Sequence, residues 1–132
     1  ISVMTFDHFE GRKKMNDDEW NLNRFCTKKE MVVIGGASKL FNFFLKEISP
    51  KRIISYSDRD WSIGNLYNKL GFNLISKSEP DYKYVINNKR VHKSNMKKSK
   101  IEYKITESEY FKSKNIYRIW DCGKLKFEIT FK

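Results

Sequence analysis

Apolar residues recur with two periods along this chain, and the switches between them predict its elements. Residues 2–6 (SVMTF) read as a strand. Residues 9–19 are polar, with Gly11, Asn16 and the pair Asp17-Asp18, and read as a loop. Residues 19–27 alternate, which places Trp20, Leu22 and Arg24 on one face of a strand and Asn21, Asn23 and Phe25 on the other. Residues 38–48 carry Leu40, Phe41, Phe44, Leu45 and Ile48 on one helical stripe, and Pro50 prevents its continuation. Residues 52–57 (RIISYS) read as a buried strand. Helical spacing returns over 61–70 through Ile63, Leu66, Tyr67 and Leu70, with Gly71 as the stop. Residues 72–75 and 82–86 read as strands, and Thr106-Glu-Ser-Glu109 has the form of a capping box that opens a short helix. Residues 116–120 and 125–131 alternate on either side of Asp121-Cys-Gly-Lys124 and read as a β-hairpin. This order predicts an α/β fold, a mixed sheet with flanking helices, in which residues 1–86 form the core and 87–132 an extension of the same domain.

Charge changes the picture of the second part. The 132 residues carry a formal net charge of +11, and residues 83–104 alone hold eight Lys or Arg against one acid, Glu102. Such clustering is the footprint of a polyanion partner, and Tyr82, Tyr84, His92 and Tyr103 lie among the cations. With 39% hydrophobic and 15% aromatic residues the chain has the composition of a globular domain. No apolar run approaches the roughly 18 residues of a membrane span, and no secretory signal pattern is present. Cys26 and Cys122 lie far apart, outside zinc-ligand spacing, and read as reduced thiols of an intracellular protein. The opening Ile-Ser-Val-Met-Thr-Phe reads as a piece of a longer protein, cut near a strand, whose N-terminal domain lies outside this chain.

Residues 20–86 carry a family pattern. Gly35-Gly36-Ala37 opens a helix after a strand, and Leu66-Tyr67-Asn68-Lys69-Leu70-Gly71-Phe72 closes the next one. Together they resemble the C-terminal half of the GNAT acetyltransferase fold. The resemblance implies that Gly35, Gly36, Ala37, Ser38 and Lys39 would hold the pyrophosphate of acetyl-CoA, and that Tyr67 would protonate the leaving thiolate. Val32 stands where that superfamily has Arg or Gln, Asp60 where it has Asn, and Ile63 where it has a small alanine, which implies weak or lost coenzyme A binding. Over nearly the whole chain, the phrases VVIGGASKLF, IISYSDRDWSIGNLYNKLGF, PDYKYV and YRIWDCGKLKFE resemble the C-terminal regions of phage and mobile-element, homing-endonuclease-like proteins. That resemblance implies a non-catalytic DNA-binding accessory domain, in the cytoplasm of a phage-infected bacterial cell.

The residues leave several chemistries open. The glycine loop suits a phosphate, either of coenzyme A or of a DNA backbone, but equally a tight turn before a packed helix. Tyr67 also lies on an apolar stripe and reads as core. Asp58-Arg59-Asp60 follows a buried strand, where ligand sites collect, though two acids around an arginine more often satisfy it. Pro80-Asp81 with Glu102-Tyr-Lys104 satisfies the PD-(D/E)xK pattern of magnesium-dependent nucleases, Asp81 and Glu102 holding the metal and Lys104 polarising water. His8 and His92 are isolated and read as polar contacts. The leading expectation is DNA binding through Arg59, Lys83, Lys89, Arg90, Lys93, Lys97, Lys98 and Lys100, without cofactor or metal. A GNAT-type acyltransferase, or a related DNA-base modifier of the phage Mom type, is the enzymatic alternative.

Overall fold

The computed structural model describes residues 1–96 and 106–132, which divide into two compact units. Unit 1 comprises Ile1–Ser78 and Lys124–Lys132, and unit 2 comprises Glu79–Gly123. The expected boundary after residue 86 falls inside a strand pair of unit 2.

Unit 1 is a five-stranded mixed sheet with helices. Its strands are β1 (Ser2–Asp7), β4 (Glu19–Thr27), β5 (Arg52–Asp58), β10 (Lys124–Thr130) and β6 (Asn73–Lys77), in the spatial order β1-β4-β5-β10-β6. Only β4 and β5 run parallel, through Glu19↔Arg52, Trp20↔Ile53 and Asn21↔Ile54. Where that ladder ends, the buried Ser55 hydroxyl donates to the Leu22 carbonyl at 2.6 Å. One face carries the core, in which Leu22, Phe41, Ile53, Phe72 and Phe127 are buried. Helix α1 (Gly36–Ile48) presents Phe41, Phe44 and Leu45 to this cluster, as its stripe predicts, and ends at Ser49 in the left-handed region before Pro50.

The residues expected as a polar loop form a small hairpin, β2 (Phe9–Glu10) and β3 (Lys13–Lys14). It is tied to the opposite sheet face. Asn21 Nδ2 donates to the Phe9 carbonyl at 3.0 Å, and Glu10 accepts from Tyr56 and Lys126, each at 2.5 Å. Arg52 lies between Glu128 and Glu19, at 2.7 and 3.1 Å.

A bulge changes the face assignment of β4. Thr5 pairs with Arg24 but Phe6 with Leu22, so Asn23 is the extra residue. The alternation therefore flips: Phe25, opposite Met4, shares the face of Leu22, while Arg24 is exposed on the other. The second expected helix is also shorter. Helix α2 spans only Asn65–Lys69, because Gly64 sits at φ 84° against the Phe127 ring, where an added Cβ would lie 2.2 Å from a ring carbon. Residues 61–63 are irregular, and Trp61 and Ile63 are exposed. The expected glycine stop is present. Gly71 adopts φ 87°, its N–H donates to Asn68 and that of Phe72 to Tyr67, which satisfies the last carbonyls.

Unit 2 is a three-stranded antiparallel sheet in the order β8-β7-β9, made of β7 (Tyr82–Ile86), β8 (Lys89–Val91) and β9 (Tyr117–Trp120). Its described residues also include a short 3-10 turn (Lys93–Asn95) and helix α3 (Glu107–Ser113). The Thr106–Glu109 capping box forms as expected. The expected C-terminal hairpin does not: β9 pairs with β7, whereas β10 inserts between β5 and β6. The Asp121 carboxylate instead accepts the amides of Asp81 and Gly123, and Gly123, at φ 78°, ends the unit 2 chain.

Candidate functional site

In unit 1 the glycine loop borders a cavity of about 320 Å³. Its walls come from Phe25 and Thr27 beyond the bulge, Met31–Val33, residues 35–38, and Leu66, Lys69 and Leu70 of the α2 region. Gly35 is left-handed at φ 70°, and no side chain caps α1. Gly36 is buried, and a Cβ added there would meet Val33 Cγ1 at 2.9 Å, so the close approach requires glycine. The first amides of a helix lack intrahelical partners, and here the Gly36 N–H turns back to the Val33 carbonyl at 3.0 Å. Of the expected cofactor residues, Gly35, Gly36, Ala37 and Ser38 line the cavity. Lys39 does not, and the cation in the lining is Lys69, which the charge pattern did not single out. Val32, in the position of the expected polar residue, is 91% exposed.

Tyr67 is a packed residue. Its ring stacks on Phe127 at 4.9 Å and meets Phe72 edge-on at 5.8 Å, while its hydroxyl donates to the Tyr56 carbonyl at 3.2 Å. Asp58 organises the turn after β5: its carboxylate accepts the Asp60 amide at 3.0 Å and its carbonyl accepts from Trp61 and Ser62. Arg59 is half-buried in that turn and belongs to unit 1, whereas Lys83, Lys89, Arg90 and Lys93 belong to unit 2.

In unit 2 the expected cations separate into two kinds. Lys83, Lys89 and Arg90 are exposed on β7 and β8 and form no ion pair among the described residues. Lys93 is engaged: its ammonium donates to Asp81 at 2.6 Å and lies 5.4 Å from the centre of the Tyr82 ring. The Lys93 hydrogen bond and the Tyr82 amide hold the Asp81 carboxyl below its ordinary range, and Asp81 in turn raises Lys93. Asp81 is thus already occupied by a lysine. Glu102 and Lys104 of the nuclease pattern, and Lys97, Lys98 and Lys100 of the basic run, lie outside the described residues. Among the described residues no group of three His, Cys, Asp or Glu could hold a metal. Neither Cys26 nor Cys122 is in a disulfide. His8 hydrogen-bonds the Glu19 carbonyl and packs on Trp20, and His92 caps the 3-10 turn, so both histidines make the polar contacts expected of them.

The core side of the unit 2 sheet is aromatic. Tyr84 is fully buried against Phe111 at 4.5 Å, and Arg118 lies over the Tyr82 ring at 4.4 Å. On the opposite face lie Lys83 and Val85 of β7, Arg90 of β8, and Tyr117 and Ile119 of β9. Tyr117 and Ile119 escaped notice because strand alternation does not say which face is covered. The available signal was the matched alternation Lys83-x-Val85 and Tyr117-x-Ile119.

No protein-family model matches the chain, and a search of curated proteins returns no match. None of the helices among the described residues is long and apolar enough to cross a membrane.

Proposed function

We propose that this chain is a DNA-binding accessory domain of a phage or mobile-element endonuclease, gripping DNA through unit 2 and contributing no cleavage chemistry itself. The observation that carries this reading is the β7–β8 pair, where Lys83, Lys89 and Arg90 stand exposed without ion pairs among the described residues. Leaving three cations unneutralised on adjacent strands costs self-repulsion, which a phosphate backbone relieves by releasing its counterions. Lys97, Lys98 and Lys100 extend the same charge along the sequence. The test is the salt dependence of affinity for duplex DNA. Replacing Lys83, Lys89 and Arg90 together by Ala should flatten the log–log slope by up to about 3 and weaken binding to all sequences. An unchanged slope would overturn the reading.

The cavity in unit 1 supports a second reading, a GNAT-like core that keeps a phosphate-ester pocket. In its favour are strand β4, the glycine-opened helix, strand β5 and the closing Gly71 motif, in the succession that the resemblance implies. Against acyl transfer stand the Tyr67 hydroxyl already donating to a carbonyl, and exposed Val32 in place of a polar residue. Calorimetry with coenzyme A separates the two: low-micromolar binding would favour the transferase, and no heat would leave a scaffold only.

A further inference from the structure

We propose that the uncovered face of the unit 2 sheet is a stacking platform for unpaired, single-stranded nucleic acid, with Tyr117 as its base-contacting residue. This rests on the nucleic-acid reading above and specifies which form of the polymer the site takes.

The placement follows from register. Opposite residues of an antiparallel pair point to the same face, so Tyr117↔Val85 and Val85↔Arg90 form one row across all three strands. Ile119↔Lys83 forms the next row. At the usual strand spacing, Tyr117 and Arg90 stand about 10 Å apart at the two edges. On the other face Phe111 packs on the buried Tyr84 and Trp120, at the strand end, is 57% exposed, while on this one Tyr117 is 59% and Ile119 40% exposed. The Tyr117 hydroxyl reaches Asn115 Oδ1 at 3.4 Å, which restrains the ring.

The occupant is chosen by chemistry. The five positions include two cations and no acid, so the face is complementary to a polyanion. Cations alone would serve a duplex, whose stacked bases give an exposed ring nothing to meet. An aromatic ring and two aliphatic side chains, on the same face as a lysine of the middle strand and an arginine of the far edge, suit a strand whose bases are free to stack while its phosphates reach the cations.

The experiment measures binding of the full chain to a fluorescent single-stranded oligonucleotide and to its duplex at several salt concentrations. Single-strand affinity should exceed duplex affinity. Tyr117→Leu should lower single-strand affinity about tenfold with an unchanged salt slope, and Tyr117→Phe should retain it. Lys83→Ala with Arg90→Ala should instead flatten the single-strand slope by about 1.4. Thermal midpoints of the variants, expected to match the parent, exclude loss through misfolding, and the parent chain's own ratio of single-strand to duplex affinity keeps the test decisive if Tyr117→Leu does not fold. Duplex preference, or equal binding by Tyr117→Leu, overturns the platform but leaves the DNA-binding reading standing. Failure to bind either form overturns both.

Discussion

The two units place their charged side chains in different settings. In unit 1, Arg52 lies between Glu19 and Glu128, Lys126 meets Glu10, and Lys51 meets Asp18 at 2.6 Å. These pairs fasten the β2–β3 hairpin and neighbouring strands to the sheet, so the charges serve the fold. In unit 2, Lys83, Lys89 and Arg90 meet no acid among the described residues, while Lys93, in the turn after β8, pairs with Asp81. A net charge of +11 is therefore not a uniform solvated coat. The difference lies in what the pairs join: those of unit 1 link separate elements of that unit, whereas the cations of β7 and β8 stay exposed.

That contrast is tested most severely by unfolding one unit alone. Phe111→Ala removes a ring that is 5% exposed against Tyr84 and should cost about 4 kcal/mol. Hydrogen exchange should then speed up in β7, β8 and β9 while β5 and β10 stay protected. Loss of protection in both units would show that their stabilities are not separable. Next in size, Gly64→Ala forces a Cβ into the Phe127 ring at a left-handed φ, and should lower unit 1 stability by about 3 kcal/mol in denaturant titration.

Gly71→Val should cost more than about 1 kcal/mol, since Gly71 at φ 87° closes α2 in a conformation β-branched residues avoid. The smallest effect sharpens the charge argument. Hydrogen bonds from Lys126 and then Tyr56 hold the Glu10 carboxyl below its ordinary pKa of 4.5. Because that folded-state pKa is depressed, the contribution is complete above about pH 5 and is lost as the pH falls through the carboxylate range. Glu10→Gln should cost about 1 kcal/mol at pH 7 and flatten the acid side of the stability profile. A profile identical to the parent's would remove Glu10 from the structural charges.

Local patterns made much of this legible. The stripe of α1, the alternation of β1 and β7, the Gly71 stop and the Thr106–Glu109 box each depend on residues within a few positions of one another. What failed depends on distant partners. Asp121-Cys-Gly-Lys124 has the composition of a hairpin turn, yet Asp121 is recruited by the amide of Asp81, and β9 and β10 pair in different sheets. Helix α2 begins late because Phe127 presses on Gly64, a contact invisible to helical periodicity. The bulge at Asn23, which carries Phe25 to the pocket side, is likewise fixed by the register of β1. Of the candidate contacts, exposed Lys83, Lys89 and Arg90 were readable from charge alone. The Lys93 pairing with Asp81 was not, because it joins residues twelve positions apart across a strand pair.

The position of β10 has a consequence for how such a chain can be built. β6 and β10 are antiparallel neighbours, with Leu125 opposite Lys77 and the Ser78 amide donating to the Lys124 carbonyl at 2.8 Å. Topologically they are a hairpin whose loop is an entire folded unit, Glu79–Gly123. Loop-closure entropy grows only logarithmically with length, so a long excursion costs about 2 kcal/mol more than a short turn. Even that cost shrinks when the excursion brings its own ends together, as the reciprocal Asp81–Asp121 backbone and side-chain bonds do at 2.8 Å. In topology, unit 2 thus occupies the place of a hairpin loop, where chain length costs the flanking sheet little.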